Sequence, residues 1–171
     1  MRLTNSTYST TKFAIMLPLA AMLAIAGCAK KQNLPDNASQ LGIGANAAKP
    51  GTSQDFTVNV GDRVFFTTDS STLTAEARGI LDRQSVWLNK YASYRITIEG
   101  HADERGTREY NLALGARRAA ATRDYLSARG VSRNRMKTIS FGKERPVAVC
   151  NDISCWSQNR RAVTVLGGGN S

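Results

Sequence analysis

The sequence has little of what most chemistry requires. One histidine, His101, and three cysteines serve 171 residues. His101 with Cys150 and Cys155 does not make a four-ligand pattern, so no metal site is expected. No serine or cysteine nucleophile stands beside His101, which leaves no evident nucleophile–base pair. The apolar run at residues 13–26, interrupted by Pro18, is shorter than the roughly 20 residues of a spanning helix. Acids are scarce too: 13 against 23 Lys and Arg, for a net charge of +10. No internal repeat is present.

What is there begins with an export signal over residues 1–27. Arg2 and Lys12 flank a short polar start, and the apolar run follows. It ends in Ile25, Ala26, Gly27 and Cys28, which resembles the bacterial lipobox. The resemblance implies cleavage before Cys28 and a diacylglycerol on its thiol, a covalent lipid in place of any cofactor. The alternative is an ordinary signal that leaves Cys28 a free thiol. Each buried methylene adds about 0.8 kcal/mol, and two acyl chains suffice for stable anchoring. Ala29 follows, with no aspartate to favour an inner membrane, so by analogy the outer membrane is expected. Residues 28–55 have no apolar periodicity and read as a lipidated start and flexible tether. As a coil its ends lie roughly 28 Å apart, and stretched it reaches on the order of 85 Å.

Without Arg2 and Lys12, 21 basic residues face 13 acidic ones, a net charge of +8. In an exported chain nucleic acid is not the expected partner. Anionic envelope polymers or acidic protein faces fit better, beside the plain reading of a solvated basic surface. An oxidising compartment permits a Cys150–Cys155 disulfide, with about 2 kcal/mol from so short a loop. Two free thiols are the alternative.

Residues 56–171 read as one domain. Phe56–Val60 alternates like a strand, as does part of 64–66, with Gly61 and Asp62 as a turn between them. Thr72 or Thr74 caps a helix whose Ala77, Ile80, Leu81, Leu88 and Tyr91 keep helical spacing. Residues 95–99 alternate, with Ile96 and Ile98 on one face, and 100–106 form a loop. Thr107 caps a second helix, with Glu109 in its first turn, running to about Arg129 before Gly130. Residues 138–141 make a short strand, 146–159 are irregular with a helical turn near Ser154, and 161–166 make a last strand. The fold class is α+β: a two-layer α/β sandwich with a small mixed four-stranded sheet and two main helices on one face.

The stretch GHADERGTREYNLALGARRA, residues 100–119, concentrates the charge. Asp103 and Glu104 are adjacent, so they need not flank a substrate bond as paired catalytic carboxylates do. Asn111, Leu114 and Arg118 share one helix face, and Asp103 on the preceding loop can fold near it. An anion, a cation, an amide and an apolar surface then surround one cleft and suit a zwitterionic amino-acid centre. Arg118 can take a carboxylate through two hydrogen bonds, and Asp103 an ammonium. The alternative is that Asp103 and Arg118 pair with each other. A hydrolase using His101 with Asp103 or Glu104 is the rival from another class.

This stretch, with residues 64–66, 141–146 and 159–163, resembles the C-terminal domain family of outer-membrane protein A, in particular its peptidoglycan-associated lipoproteins. The resemblance spans roughly residues 56–166 in the family's order. It implies an OmpA-like βαβαβ(α)β domain that is not an enzyme and binds peptidoglycan non-covalently, through the diaminopimelate of the stem peptide. It places the family's acid on Asp103, its arginine on Arg118 and its asparagine on Asn111. Leu114 falls in the wall, and Asp69 on the loop after the first strand. Many members have an aspartate directly after the phenylalanine ending that strand; here it is Thr67. The resemblance further implies TolB and the Tol system as partners, with a role in envelope integrity and cell division. A pure TolB-docking module is the third reading.

Overall fold

The computed structural model describes residues 48–168, so the expected signal, Cys28 and the tether before Ala48 lie outside the described residues. The elements follow as α1 (Ser53–Asp55), β1 (Arg63–Phe65), α2 (Ala75–Lys90), β2 (Arg95–His101), α3 (Arg108–Ala128), β3 (Met136–Gly142), α4 (Ile153–Asn159) and β4 (Arg161–Gly167). The strands form one mixed sheet in the order β1-β4-β2-β3. β4 runs antiparallel to β1 and β2, and β2 runs parallel to β3. Parallel neighbours need a crossover, which α3 supplies. The mixed four-stranded sheet and the two long helices are those expected from the sequence.

Both helices start where the sequence places a cap. Thr74 Oγ1 accepts the Ala77 N–H at 3.1 Å, and Thr107 Oγ1 accepts that of Tyr110 at 3.2 Å. α2 buries Ala77, Leu81 and Leu88, and α3 buries Leu114, Ala119 and Leu126. They cover the sheet face that carries Val64, Ile96 and Ile98. Along β2 the intervening Thr97 and Glu99 are only half-buried, as one-sided packing requires. α3 lies close to the sheet because two glycines meet: a Cβ at Gly100 would overlap the Gly115 carbonyl. That contact anchors the start of α3 against the end of β2.

Residues 56–60 depart from the sequence reading. The alternating Phe56–Val60 is not a strand but a wide helical turn continuing α1. Thr52 caps α1, and the Asp55 carboxylate accepts Gly51 N–H, Asn59 Nδ2 and Trp87 Nε1, each at 2.8 Å. Phe56 packs on Trp87 with ring centroids 4.9 Å apart. Gly61, at φ 92°, ends the turn. Capping and a buried carboxylate outweigh a two-residue alternation. The last helical turn lengthens into α4, whose Asp152 side chain accepts the Ser154 N–H at 2.7 Å. Cys150 and Cys155 are joined by a disulfide, with Cα atoms 5.7 Å apart.

Candidate functional site

Three segments converge at the C-terminal ends of β1 and β2. The β1–α2 loop contributes Thr68 and Asp69. The β2–α3 loop contributes Asp103, Arg105 and Gly106, and the first turns of α3 contribute Tyr110, Asn111 and Leu114. Together they line a cavity of about 240 Å³. That is below the roughly 300–1,000 Å³ of sites for drug-sized ligands, and suits a single amino-acid side chain.

Of the five residues expected to bind, Asp69, Asp103, Asn111 and Leu114 line this cavity, and Arg118 does not. Arg118 is fully buried. Its Nε donates to Ser70 O at 2.8 Å, Nη1 to His101 O at 2.8 Å and Nη2 to Thr67 O at 3.2 Å. The guanidinium therefore staples the β1–α2 loop to the end of β2. Three of its five N–H groups are engaged and two remain. Burial pushes its pKa down to about 10, against the opposing charges of Asp103 and Asp69. It stays charged at neutral pH.

Asp103 and Arg118 form no ion pair. Asp103 is instead bound by Arg105 at 2.7 Å and Arg160 at 3.4 Å. The expectation that its charge stands open is thus corrected: a cation from its own loop already lies on it. Burial opposes ionisation of Asp103, but the hydrogen bonds and charge of Arg105, with a hydrogen bond from Arg160, outweigh it. They hold the carboxyl below its ordinary range. Asn111 Nδ2 donates to Arg105 O at 2.7 Å and to Thr107 O at 3.1 Å, closing the loop onto α3. Asp69 has a left-handed backbone, φ 54°, and its carboxylate accepts the Tyr110 hydroxyl. Thr67 gives Arg118 only its carbonyl, so the family's aspartate at that place is not needed for this bond.

The histidine lies elsewhere. His101 is 1% exposed, with Nε2 3.6 Å from Glu99, its ring stacked near Phe141, and neither ring nitrogen hydrogen-bonded to protein. Burial, then the charges of Arg161 and Arg145, push its pKa down to about 4, so the ring is neutral. It does not line the cavity.

Sequence reasoning missed Thr68, Arg105, Gly106 and Tyr110 in the cavity wall, and Arg160 behind Asp103. Arg105 was accessible to it, two residues from Asp103 in one turn, and Tyr110 adjoins Asn111. Arg160 is 57 residues from Asp103, so spacing could not bring the two together.

The OmpA family model matches residues 65–160. The chain is 72% identical to the peptidoglycan-associated lipoprotein of Rhizobium meliloti, over 92% of this chain and 89% of that one. The crystal structure of the peptidoglycan-associated lipoprotein from Burkholderia pseudomallei superposes with a TM-score of 0.64 at 38% identity, over 70% of this chain and all of that one. The C-terminal domain of Helicobacter pylori MotB shares the fold, with a TM-score of 0.58 at 20% identity over 62% of this chain and 84% of that one. With a family match over more than half of its length and relatives this similar, the chain belongs to the OmpA family, among its peptidoglycan-associated lipoproteins.

Proposed function

We propose that the chain is an outer-membrane lipoprotein, lipidated on Cys28, whose domain binds peptidoglycan non-covalently from the periplasmic side. The supporting observation is the cavity itself. It presents two carboxylates, Asp69 and Asp103, with the desolvated Arg118 behind the loop that walls it. Diaminopimelate keeps a free amino and a free carboxylate group on its second centre. Asp103 would take the ammonium. Arg118 would offer its two remaining N–H groups to the carboxylate once the Thr67–Ser70 stretch gives way, and Leu114 would meet the methylene chain. Asn111 holds the loop in register. The names of the relatives agree with this reading.

A small ligand offers few atoms, so one site binds modestly. Many lipid-held copies facing a repeating polymer gain avidity. We extend the reading to TolB and the Tol system as partners, and to envelope integrity and cell division, on the family resemblance. The chain acts as a linker and not as an enzyme; the walled-off, neutral His101 weighs against the hydrolase reading.

Co-sedimentation with isolated sacculi tests the proposal. The protein should pellet with walls containing diaminopimelate and stay in solution with walls that carry lysine at the same position. Equal retention on both walls would contradict the assignment. Release of soluble muropeptides by the wild type, but not by a His101 variant, would restore the enzyme.

A further inference from the structure

The carboxylate meant for the ligand is already full. Asp103 Oδ1 accepts the Arg105 backbone N–H at 3.2 Å and Arg105 Nε at 3.1 Å. Oδ2 accepts Arg105 Nη2 at 2.7 Å and Arg160 Nη1 at 3.4 Å. A carboxylate offers about four lone-pair positions, so an incoming ammonium must displace a donor. The two arginines are unequal candidates. Arg160 is buried, and its Nε holds the Phe66 carbonyl at 3.1 Å. The Arg105 side chain is 41% exposed and lines the cavity.

Arg105 is also held from its other side. Its guanidinium carbon lies over the Trp156 ring, 4.3 Å from the centroid. The Trp156 indole N–H donates to the Glu104 carboxylate, tying α4 to the same turn. Trp156 follows Cys155, so the Cys150–Cys155 bridge and the Asp152 cap fix the helical turn that presents the indole.

We propose that Arg105 is a tethered counter-ion closing the site: a ligand's ammonium group must exchange with its guanidinium on Asp103, and Trp156, set in place by the Cys150–Cys155 bridge, holds the closed arrangement. The proposal rests on the peptidoglycan reading for its ligand. It makes Arg105 a specificity determinant. A cationic group can replace the guanidinium at no net change of charge on Asp103. A neutral or purely acidic group cannot, and meets a closed site. The energetic scale is small, because a partly exposed ion pair is weak. A site closed this way remains easy to open.

Calorimetric titration of the purified protein with a muropeptide containing diaminopimelate tests this. Arg105→Ala keeps the backbone bonds from Arg105 N–H to Asp103 and from Asn111 to Arg105 O, so the loop retains its frame. It should tighten binding about two- to fivefold. Trp156→Ala and the paired Cys150→Ser, Cys155→Ser variant should tighten it by less, in the same direction. Tightening cannot arise from damage to the fold. Unchanged or weaker binding by Arg105→Ala, with the wild type still binding, would overturn the counter-ion and leave the peptidoglycan reading intact. Weaker binding by Trp156→Ala would overturn the role given to the indole. Silence from the wild type beside binding by Arg105→Ala would support a fully closed site. Silence from both, in folded protein, would reject the peptidoglycan reading and the counter-ion with it.

Discussion

Two arginines perform the same backbone task in different regions. Arg118, in the middle of α3, holds the carbonyls of Thr67, Ser70 and His101. Arg135, just before β3, holds those of Leu88, Tyr91 and Tyr94. Each joins loop to regular structure with three donors of one planar fork, which lysine could not match. Their surroundings differ. Arg135 is half-buried at the C-terminal end of α2, where a cation is favoured by the helix dipole, and burial alone lowers its pKa. Arg118 is fully buried and feels Asp103 and Asp69 beside a cavity. Carbonyl capture is therefore architecture. What marks a site is the acid pair and the space next to it.

Substituting each arginine should separate the two roles. Arg118→Ala leaves three carbonyls without their donor and a hole beneath the cavity. It should lower stability by about 3 kcal/mol or more in urea titration and abolish retention on sacculi. Asp103→Ala should weaken binding at least about tenfold, which is about 1.4 kcal/mol, in a protein that still folds. Loss of folding by that variant would return Asp103 to a structural role.

A pH dependence is expected from His101, which lies outside the cavity. His101 titrates near 4 when folded and near 6.5 when unfolded, so below 6.5 the unfolded chain takes up the proton first. Its contribution is complete above about pH 6.5 and is lost as pH falls toward 4. The gap corresponds to about 3 kcal/mol at most. Urea titrations between pH 4 and 7.5 should show this slope, and His101→Leu should flatten it. A slope unchanged in that variant would assign the effect to other groups. The smallest loss of stability is expected from Arg135→Ala: about 1–2 kcal/mol, because water can reach its carbonyls, with sacculus retention unchanged at temperatures where it folds. A matching fall in retention would erase the distinction between the two arginines.

The legible parts of the sequence were the local ones. Helical spacing put Asn111, Leu114 and Arg118 on the buried face of α3, and Thr74 and Thr107 marked both helix starts. Alternation located β2 but misread Phe56–Val60, because Trp87, 32 residues from Asp55, decides that turn. At the site, spacing brought Asp103, Asn111 and Leu114 to one cavity and the resemblance added Asp69, but spacing also put Arg118 there and left Asp103 without its arginine partners. Arg118 turned to carbonyls 48 and 51 residues away, and Asp103 to Arg105 beside it and Arg160 far along the chain. Which of several arginines reaches a given acid depends on tertiary packing, and periodicity carries no information about it.

In the proposed function, the cavity between Asp69, Asp103 and Leu114 receives the amino-acid end of diaminopimelate. Calorimetry with the free diamino diacid addresses it most directly, comparing wild type, Arg135→Ala and Asp103→Ala. Saturable heat from the first two and none from the third is the predicted result. No heat from the wild type, or equal heat from Asp103→Ala, would contradict it.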